Sequence, residues 1–318
     1  MKLLIIMTVR FLGRIKLMNF KKCETQKNIF MFPGIGTNYK ECLSKFEKDF
    51  EQQILKKNDI VKEILGVGFL DESCKDELNT WILSYTCDYL VAMKYKKMNI
   101  EADYLLGFSL GVITAAAFSE AIMFEDGVRI LYDIANYRIQ ATEELIMITI
   151  GFSVIEVENL IEKYQLENKV FVACINNKYC VTVAGKKSNI LYFRGILVEL
   201  GIMKVNIIES KYAFHTRLMK ENIEQLSEDI SKVRFFDSEI PMISVIDGKV
   251  KNNGYDIKEE LVKNLYSVLD WKTIVEKFSE DKEIVFYEAG LGKTMIKSAR
   301  VILPEKTYIN LHNVDKIV

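Results

Sequence analysis

The chain has 318 residues, of which 49% are hydrophobic, and a formal net charge of −1. This length suffices for a sizeable core, in one large domain or two smaller ones. Lys and Glu are interspersed and roughly balanced, which argues against the basic surface that nucleic-acid binding requires.

The cysteine pattern bears on metals and on the cellular compartment. The six cysteines are scattered, without any C-x-x-C pair, at Cys23, Cys42, Cys74, Cys87, Cys174 and Cys180. Neither a zinc site nor a disulfide framework is indicated. We therefore predict no metal site and a reducing, cytoplasmic location.

The first seventeen residues differ from the rest of the chain. The apolar run Met1–Met7 is soon interrupted by Arg10 and Arg14. It is too short for a membrane span and lacks the small-residue cleavage site of a signal peptide. We interpret residues 1–17 as an extension or a misassigned start, with Met18 as the alternative start, and predict no membrane association.

Helical periodicity and short apolar segments alternate along the body of the chain. The helical patterns cover Tyr39–Lys57, Leu83–Met98, Gly111–Ala121 and Gly127–Glu144. The strand candidates are Ile29–Met31, Tyr104–Leu106, Met242–Val245 and Ile284–Tyr287. Strands that alternate with helices predict an α/β fold with a mainly parallel sheet.

The pattern changes between residues 145 and 211, where strand candidates and helices follow a β-α-β-β-α-β order. The elements are Ile146–Ile150, Glu156–Tyr164, Val170–Ala173, Tyr179–Val183 and Ser188–Leu200, followed by an apolar segment at 202–208. This order predicts a ferredoxin-like insert. We expect a large α/β subdomain from 18–144 and 212–318, a small subdomain from 145–211, and a functional cleft between them.

A G-x-S-x-G pentapeptide, Gly107-Phe108-Ser109-Leu110-Gly111, follows one strand candidate and leads into a helix of small residues. An isolated match is often a plain turn. The flanking strand and helix make it typical of a nucleophile elbow, in which a sharp turn exposes the serine hydroxyl. The helix N-terminus would direct N–H groups at an oxyanion.

A serine nucleophile needs a general base, and the chain has only two histidines, His215 and His312. His312 lies in the last seven residues, where chains often fray. His215 follows the apolar segment at 202–208. We therefore predict His215 as the base.

Two further strand candidates end in glycine-rich turns, at Phe32–Gly36 and at Glu288–Lys293. The first lacks the Gly-Lys-Ser/Thr ending of a phosphate loop. It could bring backbone N–H groups close to a ligand. By themselves, both segments are equally compatible with ordinary strand-to-helix turns.

Together these four segments resemble the malonyl-CoA:acyl-carrier-protein transacylase family, which includes the acyltransferases of polyketide synthases. The family motifs F-P-G-Q-G-S-Q, G-H-S-L-G-E, A/S-F-H-S-x-x-M and E-x-G-P-G-K correspond to Phe32–Asn38, Gly107–Val112, Ala213–Met219 and Glu288–Lys293. The resemblance covers about residues 28 to 310. It implies a hydrolase-like α/β core with no bound cofactor, and an acyl-CoA or phosphopantetheinyl carrier-protein thioester as substrate.

The resemblance also implies roles for individual residues. Ser109 would be the nucleophile and His215 its base, in a ping-pong acyl transfer through an acyl-serine. The backbone N–H groups of Leu110 and Ile35 would form the oxyanion hole. The backbone carbonyl of Asn264 would orient the histidine.

Further implications concern the acyl pocket and the partner. Asn176 lies in a segment similar to the family strand that lines the pocket, and Phe214 adjoins the base. An acyl carrier protein is the implied partner, in fatty acid or polyketide biosynthesis, and the chain is expected to be monomeric.

One departure from the family concerns the carboxylate of malonyl. Malonyl-using members bind it through a bidentate arginine, and Ile134 stands at that position here. A buried carboxylate left unpaired would cost several kcal/mol. Arg138, one helical turn further on, could in principle replace the missing cation.

Other departures make the pocket more apolar. Phe108 replaces the histidine before the serine, Val112 replaces the glutamate after the motif, and a pocket glutamine maps near Thr80. These changes favour a neutral acyl group, which is passed to a carrier protein or released to water. Family members that clear stalled chains from carrier proteins likewise lack the arginine.

Three alternatives stay open at this point. The chain could be a true malonyl-CoA:ACP transacylase, or a non-catalytic subunit that binds a carrier protein. It could also be a lipase or esterase of the α/β-hydrolase type, with His312 as its base. The sequence does not determine the acyl chain length.

Overall fold

The computed structural model describes residues 26–35, 48–71, 77–137, 144–208, 210–221 and 223–311. Within them the larger of two sheets has six strands in the order β10-β9-β1-β2-β7-β8. Its strands are β1 (Lys27–Phe32), β2 (Tyr104–Gly107), β7 (Met242–Ile243), β8 (Val250–Lys251), β9 (Ile284–Glu288) and β10 (Thr307–Asn310). Every pairing in this sheet is parallel except that of β7 with β8.

The strand β1 lies in the middle of this sheet, between β2 and β9. Residues 29–32 of this strand are fully buried. A continuous apolar run of this kind is what a parallel strand requires when helices cover both faces of the sheet. The turn that follows β1 is therefore placed beside the turn that follows β2.

Helices surround both sheets. They are α1 (Lys48–Leu65), α2 (Glu77–Lys97), α3 (Gly111–Phe118), α4 (Phe124–Ala135), α5 (Val154–Lys163), α6 (Lys187–Glu199), α7 (Ile223–Ile230), α8 (Gly254–Asn264), α9 (Trp271–Glu276) and α10 (Thr294–Ile302). All eight residues of α3 are buried. Small side chains let α3 pack closely against its neighbours, so the turn before it is firmly held.

The second sheet is antiparallel, with the strand order β4-β5-β3-β6. Its strands are β3 (Leu145–Ile150), β4 (Val170–Asn177), β5 (Cys180–Lys186) and β6 (Val205–Ile208). Helices α5 and α6 connect them, and Ser153 begins α5 with a reciprocal capping box. This order is that of a ferredoxin-like sheet, so the predicted fold class, with its small inserted subdomain, is confirmed.

Strand β4 joins the small sheet to the larger part of the molecule. The backbone N–H of Ile175 donates to the carbonyl of Leu269 at 2.8 Å, and the N–H of Leu269 donates to the carbonyl of Ala173 at 3.0 Å. The Ser298 hydroxyl donates to the carbonyl of Asn176 at 2.5 Å. The small sheet is thereby fixed beside the segment between α8 and α9.

Several predicted boundaries differ from the observed ones. The helix predicted at Leu83–Met98 begins six residues earlier, at Glu77, and the one predicted from Gly127 begins at Phe124 and ends at Ala135. Residues 1–17 and 138–143 lie outside the described part of the chain. Among the described helices, none is both long and apolar enough to cross a membrane.

Candidate active site

Ser109 lies in the sharp turn between β2 and α3, with a left-handed backbone conformation (φ 55°). The two glycines of the pentapeptide are required because a side chain at either position would clash with neighbouring atoms. A Cβ at Gly107 would lie 2.4 Å from the Cα of Val112, and one at Gly111 would lie 2.1 Å from the carbonyl oxygen of Phe32. The turn thus has the form of a nucleophile elbow.

His215 lies in the loop before a short 3-10 helix and also has a left-handed conformation (φ 63°). Its backbone N–H donates to the carbonyl of Leu265 at 2.7 Å. Its Nε2 is 2.9 Å from the Oγ of Ser109, and its Nδ1 is 2.6 Å from the carbonyl oxygen of Asn264, the last residue of α8. The structure therefore brings together all three residues predicted to act on the reacting proton.

These contacts fix the tautomer of His215. A carbonyl oxygen can only accept, so Nδ1 carries the proton and donates it to Asn264. The Nε2 lone pair is then free to accept the Ser109 hydroxyl. Burial lowers the pKa of His215 to about 4, against the opposing effect of the Asn264 carbonyl. The imidazole is consequently neutral at pH 7 and able to take a proton.

The turn after β1 lies directly against the elbow. A Cβ at Gly34 would be 2.9 Å from the Cβ of Ser109, and both Ile35 and Leu110 line the cavity beside the serine. Within the described residues, neither the N–H of Ile35 nor that of Leu110 has an intramolecular acceptor. Two backbone donors are thus available near an oxyanion formed next to Ser109.

Two cavities meet at the Ser109–His215 pair. The inner chamber has a volume of about 40 Å³ and the outer cleft one of about 450 Å³. Both are lined by Ile35, Ser109, Phe214 and His215. A bound molecule that reaches the serine from the outer cleft would therefore place its terminal group in the inner chamber.

The inner chamber is almost entirely apolar. Besides the four shared residues, its lining consists of Trp81, Leu110, Val112, Ile113, Leu131, Ile134, Leu261, Asn264 and Leu265. No Asp, Glu, Lys or Arg of the described chain lines it. Ile134, at the predicted arginine position, is one of its walls and is only 5% exposed.

The outer cleft is more polar, and it is lined by strands of the antiparallel sheet, by the turns after β1 and β2 and by α10. Its polar lining consists of Thr149, Asn176, Asn177, Thr182, Ser210, Thr294 and Ser298. Asn176 is held by a hydrogen bond from its Nδ2 to the Oγ1 of Thr182 at 3.0 Å. Lys297 is the one Lys, Arg, Asp or Glu among the described lining residues. This cleft therefore offers several hydrogen-bonding side chains to a bound molecule.

The predicted pocket residues fall in different places. Ile134 and Phe214 line the inner chamber, whereas Phe108 and Asn176 line the outer cleft. The prediction for Thr80 is wrong: its side chain is exposed and borders neither cavity. One residue further along α2, Trp81 enters the chamber instead. Arg138 lies outside the described residues.

Sequence reasoning also missed four chamber residues, Ile113, Leu131, Leu261 and Leu265. Leu261 and Leu265 are four residues apart on either side of Asn264, and this spacing was an available signal because such positions share a helix face. Over the described residues, no group of three or more His, Cys, Asp or Glu side chains could hold a metal ion.

An α/β core, an elbow serine hydrogen-bonded to a histidine, and backbone donors beside them are typical of enzymes that transfer acyl groups through a serine. The comparisons with known proteins then give the family. A family model described as acyl transferase domain matches residues 92–296, and the chain belongs to this family of acyltransferases.

Curated relatives extend the match over most of the chain. The malonyl CoA-acyl carrier protein transacylase of Bacillus subtilis (strain 168) is 25% identical over 282 residues, covering 85% of this chain and 88% of that protein. The transacylase of the same name from Haemophilus influenzae is 22% identical over 301 residues, covering 91% and 96% respectively. The predicted resemblance is therefore confirmed.

Solved structures show the same fold. The malonyl CoA-acyl carrier protein transacylase from Coxiella burnetii superposes with a TM-score of 0.79 at 20% identity, covering 90% of this chain and 94% of that one. The acyl transferase domain of SpnD, in complex with 2-(pent-4-yn-1-yl)malonyl, gives 0.78 at 18% identity, covering 90% and 71%. A malonyl-transacylase in complex with a type II polyketide synthase acyl-carrier protein gives 0.76 at 16% identity, covering 90% and 96%.

Proposed function

We propose that this protein transfers a neutral acyl group between thioesters through an acyl intermediate on Ser109. The observation that carries the proposal is the inner chamber. It lies next to the Ser109–His215 pair, and none of its described lining residues is Asp, Glu, Lys or Arg. The chamber therefore favours an acyl chain without a carboxylate.

In the first half of the reaction, Nε2 of His215 takes the hydroxyl proton while Oγ of Ser109 attacks the thioester carbonyl. The N–H groups of Leu110 and Ile35 donate to the oxyanion. When the tetrahedral intermediate collapses, the carbon–sulfur bond breaks and the departing thiolate takes the proton from His215. An acyl-serine and a free thiol remain.

In the second half, an acceptor attacks the acyl-serine and His215 again takes a proton. A thiol acceptor yields a new thioester, whereas water yields the free acid. In either case the bond between the acyl carbon and Oγ of Ser109 breaks, and His215 returns the proton to Oγ. The same dyad therefore supports both transfer and hydrolytic release.

Among the described residues, the inner chamber offers no cationic partner for a carboxylate. Ile134 presents a hydrocarbon wall in a chamber that, over the described residues, holds no cation. Removing a carboxylate from water without a partner costs several kcal/mol. Malonyl loading should consequently be slow relative to loading of a neutral acyl group.

We further propose that the thioester is carried by the phosphopantetheine arm of an acyl carrier protein or of coenzyme A. The arm contains two amides, which the hydroxyl and amide side chains lining the outer cleft can hydrogen-bond. Lys297, which lines the same cleft, supplies a cation for its phosphate. Relatives named for acyl carrier protein, and one solved complex with such a protein, support this partner and a role in fatty acid or polyketide biosynthesis.

Intact-protein mass spectrometry after mixing with malonyl-CoA and acetyl-CoA tests this function. We expect an acetyl adduct on the wild-type protein, no adduct on Ser109→Ala, and malonyl labelling slower by about tenfold or more. Faster malonyl than acetyl labelling would contradict the neutral-acyl proposal and favour an extender-unit transferase. Labelling of neither would favour a non-catalytic carrier-binding subunit.

The fate of the adduct distinguishes transfer from hydrolysis. The labelled protein is separated from free thioester and divided between buffer alone and buffer with a phosphopantetheinylated carrier protein. If the acyl group appears on the carrier protein, the enzyme is a transferase. Loss of the adduct at the same rate in both samples, with release of free acid, identifies a hydrolase.

A further inference from the structure

The inner chamber is small compared with the cleft that leads to it. Its volume is about 40 Å³, against about 450 Å³ for the outer cleft. The chamber thus has about a tenth of the volume of the cleft. The limit on the acyl chain is therefore set beyond the serine and not in the outer cleft.

Trp81 is the largest side chain on the chamber wall, and it is 2% exposed. Its ring packs against Phe214, at 5.7 Å between centroids, and against Tyr212 at 6.2 Å. The Tyr212 hydroxyl donates to the carbonyl of Ala135, at the end of α4, at 2.8 Å. The indole is thus held by a cluster that is itself fixed to a neighbouring helix.

The other walls offer little room for adjustment. Leu131 is 1% exposed, Leu261 is 3% exposed and Ile134 is 5% exposed, and these residues belong to the main core. Interiors packed in this way do not expand for added methylenes without strain of about 1–3 kcal/mol. A longer acyl chain would have to displace the indole or one of these core side chains.

We infer that Trp81 restricts this enzyme to short acyl groups, with butyryl accepted and octanoyl disfavoured. The inference rests on the proposed function, since it concerns the group that Ser109 carries. It makes Trp81 a specificity-determining residue that touches the acyl chain but no reacting atom. Replacing the indole by a smaller side chain should enlarge the chamber and extend the range of substrates.

The test is the rate at which the full-length protein is labelled by acetyl-, propionyl-, butyryl-, hexanoyl- and octanoyl-CoA, followed by intact mass. We expect wild-type octanoyl labelling to be about a hundredfold slower than butyryl labelling or slower still. In Trp81→Leu the ratio of octanoyl to acetyl labelling should rise by about tenfold or more. Ile134→Ala opens the same chamber from α4 and should shift the ratio in the same direction.

Phe286→Leu is the matched control, because Phe286 is a fully buried aromatic residue that lines neither cavity. Its chain-length ratio should equal that of the wild type. Thermal unfolding shows which variants are folded. If Trp81→Leu does not fold, the chain-length ratio of Ile134→Ala tests the size limit.

Each outcome separates the size limit from the proposed function. Equal wild-type labelling by all five thioesters, or an unchanged ratio in the folded chamber variants, would overturn the size limit and leave acyl transfer intact. Absence of labelling by any thioester would overturn both. A shift in the chamber variants that is absent from Phe286→Leu would support the limit.

Discussion

The imidazole of His215 lies between one hydroxyl and one backbone carbonyl. Because the carbonyl of Asn264 can only accept, it determines that Nε2 faces Ser109 without a proton. Burial lowers the pKa of this histidine to about 4. The proposed base is thus neutral well below the pH at which an exposed histidine becomes protonated.

This predicts an unusual acid limit for acylation. The value of kcat/KM for Ser109 labelling should be constant from pH 8 to about pH 5 and fall only near pH 4, because it reports ionisation of the free enzyme. Quenched labelling followed by mass spectrometry at a series of pH values measures it. A midpoint near 6.5, the ordinary histidine value, would contradict the burial of the base.

The same pKa makes stability depend on pH. In the unfolded chain His215 takes a proton near pH 6.5, whereas in the folded protein it does so only near pH 4. The unfolded state therefore binds more protons over this interval, and the contribution of His215 to stability is lost as the pH falls from about 6.5 to about 4. A folded His215→Gln variant should lack this part of the pH dependence.

At the scale of elements, the elbow depends on close approach between the turn and β1. A Cβ at Gly111 would lie 2.1 Å from the carbonyl oxygen of Phe32, which is backbone and cannot move aside. Gly195, in α6, is the opposite case: a Cβ there would meet nothing within 4 Å. Of these two helical glycines, Gly111 has no room for a Cβ and Gly195 has ample room.

Substitution of these two glycines gives predictions of opposite sign. Gly111→Ala should lower the free energy of unfolding by about 3 kcal/mol or more, or prevent folding, because of strain. Gly195→Ala should raise it by about 0.5–1 kcal/mol, since alanine loses less backbone entropy in a helix. Denaturant unfolding measures both, and equal effects would contradict the close approach at Gly111.

The sequence predicted the elements that carry glycine-rich turns better than the rest. Strands β1, β2 and β9 are short apolar runs that end in such turns, so pattern and motif agree. Strand β10 was missed because Thr307–Asn310 has no apolar run, and its place comes from pairing with β9. The order of strands in the sheet likewise depends on long-range pairing that no local pattern contains.

In the site, too, residues in or near motifs were easier to predict than residues outside them. The sequence predicts that Ser109, His215 and Asn264 lie together because they lie in or near motifs. It points to Thr80 and not to its neighbour Trp81, which lines the chamber. Helix α2 is buried around most of its circumference from Trp81 to Asp88. A helix without a polar face shows no periodicity, so the side that borders the chamber cannot be deduced from sequence.

At the scale of the whole molecule, strand β3 belongs to two cores. Leu145 and Met147 pack in the large core, while Ile146, Ile148 and Ile150 pack in a separate core beneath α5 and α6. This alternation is what a strand with two covered faces requires. Together with the hydrogen bonds at Leu269, it couples the small subdomain to the large one.

We therefore expect a mutation that destabilises the small core to destabilise the large core as well. Phe193, fully buried in the small core, is the site of the test. Phe193→Ala should lower the free energy of unfolding by about 3–5 kcal/mol, in one cooperative transition. Fluorescence reports this directly because Trp81 and Trp271, the two tryptophans of the chain, both belong to the large core. If the unfolding midpoint followed by tryptophan fluorescence were the same in Phe193→Ala as in the wild type, the subdomains would unfold independently.

The polar groups around Ser109 and His215 belong largely to the main chain. The two candidate oxyanion donors are backbone N–H groups, and the acceptor that orients the imidazole is a backbone carbonyl. Point mutations at Ile35, Leu110 or Asn264 change side chains but leave these groups in place. Natural variation can thus reshape the chamber residue by residue without disabling the reaction, and descendants of one such scaffold can diverge in the acyl groups they accept while all remain active.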